Sequence, residues 1–187
     1  MVLAEAAIAG ILLGLVSGGR LGALAELRIK RVELVYVAIL LQIAAFPSGV
    51  LPWSTPDGVA RGLWLLSFAL LGAFAIVNRA VRGVVLVFAG LASNLAAVVA
   101  NGGLMPASRH AIRAAGLTYR LKNNSISMIH PHLAWLTDRW AVPDWIPWGN
   151  VFSIGDVLIA AGIVATIVLA MHGRGERRAG AHLRYES

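Results

Sequence analysis

The chain contains no cysteine, which excludes disulfides, thiolate metal sites and a cysteine nucleophile. It is also poor in charge: 13% of its 187 residues are Asp, Glu, Lys or Arg, against about a quarter in soluble domains. Acids and histidines are too scattered for metal-ligand spacing. His110, His130 and His132 share one stretch, but His130-Pro131-His132 has too few acids around it to complete a tetrahedral site. No metal and no cofactor is therefore expected. A phosphate-cradling glycine loop, a G-x-S-x-G elbow and a Ser-His-Asp order are missing as well. So are internal repeats and low-complexity tracts.

What fills the chain instead is hydrophobicity. Apolar residues make up 58% and mean hydropathy is +0.75, gathered in blocks close to the length needed to cross a bilayer, about 20 residues per helix. The expectation is an all-α membrane protein with five transmembrane helices, at about 2–18, 33–49, 62–78, 82–100 and 153–172. A long outer loop, 101–152, carries short amphipathic helices, and a polar tail, 173–187, follows. A signal peptide is the rival reading of the first block, but it lacks a basic leading region and a small-x-small cleavage site. Ala6, Gly10, Gly14 and Gly18 recur every four residues, a stripe that allows close helix packing in lipid.

The net charge of +7 does not point to nucleic acid, because the basic residues lie at segment ends, where they set topology. Ten of the sixteen, in 20–31, at Arg79 and Arg82, and in the tail, share one side. Cytoplasmic loops are enriched in Lys and Arg, so the N-terminus is expected outside and the C-terminus inside a plasma membrane. All six tryptophans, Trp53, Trp64, Trp135, Trp140, Trp145 and Trp148, fall on the outer side, as an interfacial belt would.

In the outer loop, Asn101-Gly102-Gly103 reads as a helix stop. Residues 107–116 read as a short helix with Ser at its start and Gly at its end. Residues 131–140 read as a second, amphipathic helix, and Pro143 and Pro147 hold the extended chain that follows.

Two aspartates are the candidate chemistry. Asp138 precedes the Trp- and Pro-rich segment, and Asp156 sits in the first turn of the last apolar block. An acid at that depth is costly. Two carboxylates sharing a site within about 4–6 Å would titrate apart and divide acid and base work on a water. The structural alternatives are specific. Ser153-Ile154-Gly155-Asp156 fits a capping box, and Asp138 beside Arg139 fits an interfacial ion pair. Asn94 and Asn101, seven apart on one helix face, and Gln42 read as interhelical glue or the lining of a polar pocket.

The combination Asn101-Gly102-Gly103-Leu104-Met105-Pro106-Ala107-Ser108, Leu136-Thr137-Asp138 and Phe152-Ser153-Ile154-Gly155-Asp156-Val157-Leu158-Ile159 resembles an uncharacterised family of small bacterial polytopic proteins, a domain of unknown function, over nearly the whole chain. Residues 136–162 are also similar to the C-terminal part of lipoprotein signal peptidase (signal peptidase II). That likeness implies Asp138 and Asp156 as a catalytic pair, with Arg139 beside it and Ser153 where that family has asparagine. Its glycine-rich stretch is absent here, and its four spans differ from the five expected. The functional expectation is an outer-leaflet polar site, with Asp138 and Asp156 catalytic and Arg139, Ser153, Asn94 and Asn101 supporting. It would act as an aspartate-dyad hydrolase on a lipid-linked or membrane-inserted substrate. The alternative is a non-catalytic module that binds membrane lipids or a partner membrane protein, or serves as an accessory subunit. A small transporter is third, disfavoured by the lack of an inverted repeat.

Overall fold

The computed structural model describes residues 2–47, 54–117, 125–143, 145–146 and 150–173. Trp53, Pro147, Trp148 and the tail beyond Gly173 lie outside the described residues. The protein is mostly helical, and its five longer helices are α1 (Val2–Val16), α2 (Glu33–Ala45), α3 (Asp57–Val77), α4 (Val84–Ala100) and, after a short α5 (Arg109–Ala114), α6 (Ile154–His172).

Local chemistry sets their ends. α2 stops at Ala45, short of the expected 49, because Pro47 follows and disfavours helical geometry at Phe46; the Phe46 backbone is already out of the helix, at φ −132° and ψ 74°. α3 begins at Asp57, ahead of the expected 62, since Pro56 leads in and the acid faces the positive end of the helix dipole. Arg61 therefore lies inside a helix. α4 ends at Ala100, with Asn101 as its C-cap, and Gly102 and Gly103 then take φ of 73° and 87°, conformations glycine adopts without a Cβ clash.

The helices pack in the order α1–α6–α4–α3–α2. α6 is parallel to α1: a Cβ on Gly10 would lie 3.1 Å from Ile167, and one on Gly14 would strike the Met171 side chain. Gly18, the fourth member of the expected stripe, packs against nothing and instead turns the chain at φ 87°. α4 is antiparallel to α6, with Gly90 against Gly155 and Ile159, and Gly83 against Gly162 and Thr166. α2 and α3 form an antiparallel pair tied by Gln42 Nε2 donating to Ser67 Oγ at 3.1 Å, the interhelical bond expected of that amide. At its far end, Asn78 exchanges two 2.9 Å bonds with the Lys30 backbone. The described connections thus gather at two ends. One end holds the basic segment 18–32, which includes a 3₁₀ turn at Leu21–Glu26, the 78–83 turn and His172. The other end holds the described residues of 101–153.

Among the described residues, two helices, α3 with 21 residues and α6 with 19, are long and apolar enough to cross a membrane, at about 28–32 Å for a rise of 1.5 Å per residue. α1, α2 and α4 are apolar but shorter. Large apolar side chains cover the outer faces of all five, among them Leu12, Leu40, Leu66, Val85 and Val157.

The described residues of 101–153 form a knitted cap. β1 (Met105–Ala107) pairs in parallel with β2 (Ser125–Ser127). β3 (Trp140–Ala141) pairs antiparallel with β4 (Val151–Phe152). α5 forms where a short helix was expected, capped by Ser108 accepting from the Ala111 N–H at 3.1 Å. The amphipathic helix expected over 131–140 is reduced to one 3₁₀ turn, Ala134–Leu136. Beyond it the backbone at Asp138 is drawn into a bridge with Ala107, so its N–H and C=O serve another segment and cannot continue a helix. Trp64, expected in an interfacial belt, is 3% exposed and joins Ala97, Val98, Met105 and Leu136 in the core under the cap.

Candidate functional site

The polar centre of the molecule is where α6 leaves the cap. Ser153 is the N-cap of α6, and its Oγ accepts from the Asp156 N–H at 3.1 Å. Asp156 answers by accepting the Ser153 N–H on Oδ2 at 2.9 Å, completing the capping box. Asn94, on α4, adds the third member. Its Nδ2 donates to Asp156 Oδ1 at 2.9 Å. The Ser153 hydroxyl lies 2.8 Å from Asn94 Oδ1 and 2.9 Å from Asp156 Oδ2; with one proton it donates to one of them at a time. Ser153 and Asn94 are buried.

The closeness of α4 and α6 makes this possible. A Cβ on Gly155 would strike Asn94 Oδ1 and the Gly90 carbonyl. Glycine at 90 and 155 removes the side chains that would hold the helices apart, and Asn94 reaches across the gap. Both oxygens of Asp156 are thereby committed, one to its own helix cap and one to Asn94, 62 residues away in sequence.

Asp138 is buried, 6% exposed, at the edge of the cap. Its N–H donates to the Pro106 carbonyl at 3.0 Å and its C=O accepts the Ser108 N–H at 2.8 Å. The β3–β4 register sets Trp140 against Phe152 and Ala141 against Val151 in an antiparallel ladder. The strand arriving from Asp138 and the strand leaving for Asp156 meet at the same end of the ladder. The ion pair expected between Asp138 and Arg139 is not formed: Arg139 is exposed and has no ion pair among the described residues.

Asn101 serves the cap rather than a pocket shared with Asn94. Its Nδ2 donates to Ala97 O at 2.7 Å and His132 O at 2.9 Å, and its Oδ1 accepts the His132 N–H at 2.8 Å. His110, His130 and His132 are exposed, and no group of three metal-ligating side chains occurs among the described residues. Sequence reasoning gives no role to Asn78 or Thr137, both buried. Thr137 donates to the Ala134 carbonyl at 2.7 Å. Each closes a turn through a side chain-to-backbone bond, for which the only sequence signal is a polar residue beside an apolar run.

The chain is 30% identical over 139 residues to an uncharacterized protein of Thermotoga maritima, covering 72% of this chain and 76% of that one. No solved structure matches it. Neither that relative nor the matching family profile is described as a signal peptidase, so the local likeness of residues 136–162 to signal peptidase II gains no support. The profile spans residues 26–168, which takes in α2, α3, α4, the cap and most of α6, and the chain belongs to this family of unknown function (DUF5317).

Proposed function

We propose that the protein is a five-span membrane module, with the cap outside and the basic end cytoplasmic, that binds lipid at the outer leaflet without catalysing a reaction. The observation that supports the non-catalytic reading is the structural use of the Asp156 carboxylate, which closes the α6 capping box with Ser153 and ties α6 to Asn94 on α4. The membrane reading is supported by the exposed apolar faces of all five long helices, since contiguous apolar surface on that scale is unusual for a monomer in water. It is also supported by α3 and α6, which have the required length. Orientation follows from charge, with Arg20, Arg28, Lys30, Arg31, Arg79 and Arg82 at the end opposite the cap, the enrichment typical of cytoplasmic loops. The cap in turn exposes Leu133, Trp135 and Trp145, the amphipathic and apolar side chains that settle at headgroup depth. In bilayers carrying shallow spin-labelled lipid, a variant retaining Trp145 alone should be quenched by the lipid and protected from aqueous iodide. Strong iodide quenching with no lipid quenching would place the cap in water and end the proposal.

The aspartate-dyad hydrolase is the second reading. It is favoured by one observation, the buried Asp138 delivered by the β3–β4 ladder to the end where α6 starts. Under that reading Asp138→Asn and Asp156→Asn each abolish turnover of a lipid-linked substrate while the protein stays folded. Under the binding reading Asp138→Asn leaves lipid association unchanged.

A further inference from the structure

α1 carries two unlike faces. Ala6, Gly10 and Gly14 make the one that packs on α6. On the opposite side Glu5, Ile8, Leu12 and Leu15 follow one another at spacings of three and four, and the three apolar members are 59, 57 and 44% exposed. That is the spacing of a seam that packs against another helix. Its first member is an acid. Glu5 is exposed and has no ion pair or hydrogen bond among the described residues. The packing of α1 on α6 sets the depth of that acid. Gly10 lies against Val164 and Ile167, and Gly14 against Met171, a register offset of 154–157 residues. Glu5 therefore stands level with residues 159–162, five to eight residues past Ile154 and near the middle of α6. At a rise of 1.5 Å per residue that is about 8–12 Å below the start of α6. An acid facing lipid at that depth is costly, and glutamate lacks the long stem by which Lys and Arg snorkel to the interface.

We infer that this face of α1 docks a membrane-spanning helix of another protein, one that turns a Lys or Arg toward Glu5. The cation compensates the acid within the bilayer, and Ile8, Leu12 and Leu15 interdigitate with the side chains of the arriving helix. A single polar residue in such a seam selects the partner and its register. A second copy of this chain is the poorer occupant by charge. A symmetric pair would set Glu5 against Glu5, and the described Lys and Arg residues lie near helix ends or in the connections and the cap, away from this depth. The inference rests on the membrane reading given above but concerns the outward side of α1 rather than the cap.

The test uses the full chain in phosphatidylcholine vesicles and reads its pairing, by resonance energy transfer, with synthetic polyleucine helices that carry Lys, Glu or Leu at their centre. The Lys helix should pair with the wild type about tenfold or more tightly than the other two, the scale of one polar contact between helices in lipid. Glu5→Gln should erase that preference, and Glu5→Lys should reverse it toward the Glu helix. Ile8→Ala with Leu12→Ala should weaken pairing with the Lys helix. Leu40→Ala, at an exposed position of α2, should pair as the wild type does. Glu5 lies on the side of α1 away from α6, so the variants should elute and melt as folded protein. Equal pairing of the three helices, a preference that survives Glu5→Gln, or an equal loss from Leu40→Ala overturns the inference. Photocross-linking from position 12 in the native membrane to a second copy of this chain, and to no other protein, also overturns it. Failure of the chain to insert into vesicles at all would instead sink the membrane reading on which the inference rests.

Discussion

Exchanging the two partners at positions 94 and 156 gives the sharpest probe of the polar clamp. In Asn94→Asp the amide that donates to Asp156 Oδ1 at 2.9 Å becomes a second carboxylate oxygen at the same distance. At an effective dielectric near 20 that repulsion is roughly 6 kcal/mol before any relaxation. Relaxation should leave about 3–5 kcal/mol, the usual penalty for an uncompensated buried charge. Asp156→Asn alone is milder, about 1–3 kcal/mol: the amide oxygen can still accept from the Ser153 N–H, but its NH₂ then faces the Asn94 amide donor and the bond between the helices is lost. In the double variant the new amide at position 156 donates to the new carboxylate at position 94, and Ser153 keeps an acceptor on each side. Its stability should therefore return to within about 2 kcal/mol of wild type, giving a favourable coupling of several kcal/mol where independent changes would add. Thermal unfolding in detergent micelles, followed by tryptophan fluorescence, reads the order directly, at about 2–4 °C per kcal/mol for a chain of this size. A double variant that melts at the sum of the two single losses would refute the clamp, as would an Asn94→Asp protein as stable as wild type.

Gly155→Ala should separate α4 from α6, because its Cβ would meet Asn94 Oδ1 and the Gly90 carbonyl; a loss of about 1–3 kcal/mol is expected for such overpacking, measurable as a lower melting temperature. By contrast, Gly22→Ala, where nothing lies within 4 Å, should cost less than about 1 kcal/mol. Asn101→Ala removes the side-chain bonds that pin residue 132 to the end of α4. Hydrogen exchange should then accelerate across 129–136 while α6 stays protected, and uniform acceleration throughout the protein would contradict that local role.

Much of this arrangement can be read from residue order, and the parts that cannot share a physical cause. Ser153 and Asp156 announce a capping box by spacing alone. Pro47 and Asn101-Gly102-Gly103 mark helix ends by backbone chemistry, and at α2 the proline outweighs the apolar run that continues past it. The cap is legible only as a Pro- and Trp-rich connection, since β3 and β4 are two residues each and two residues carry no period. Trp64 looks like its five fellows because a tryptophan near a segment end suits a membrane interface and a core equally; only the packing of α4 and Leu136 over it decides. The Asn94–Asp156 bond leaves one trace, a single amide on an apolar helix. Which of several polar residues it meets is decided by Gly90 and Gly155, whose facing positions depend on how α4 and α6 cross.

The central claim, a five-span protein with its cap outside and its basic end inside, is best tested by single-cysteine accessibility, which the cysteine-free chain makes unambiguous. Ile129→Cys lies in the cap at a site 71% exposed, and Gly22→Cys lies in open space at the basic end. With a membrane-impermeant maleimide applied to intact cells, the cysteine at 129 should be labelled at once and the one at 22 only after the membrane is permeabilised. Labelling of both from outside, or of position 22 alone, would contradict the account.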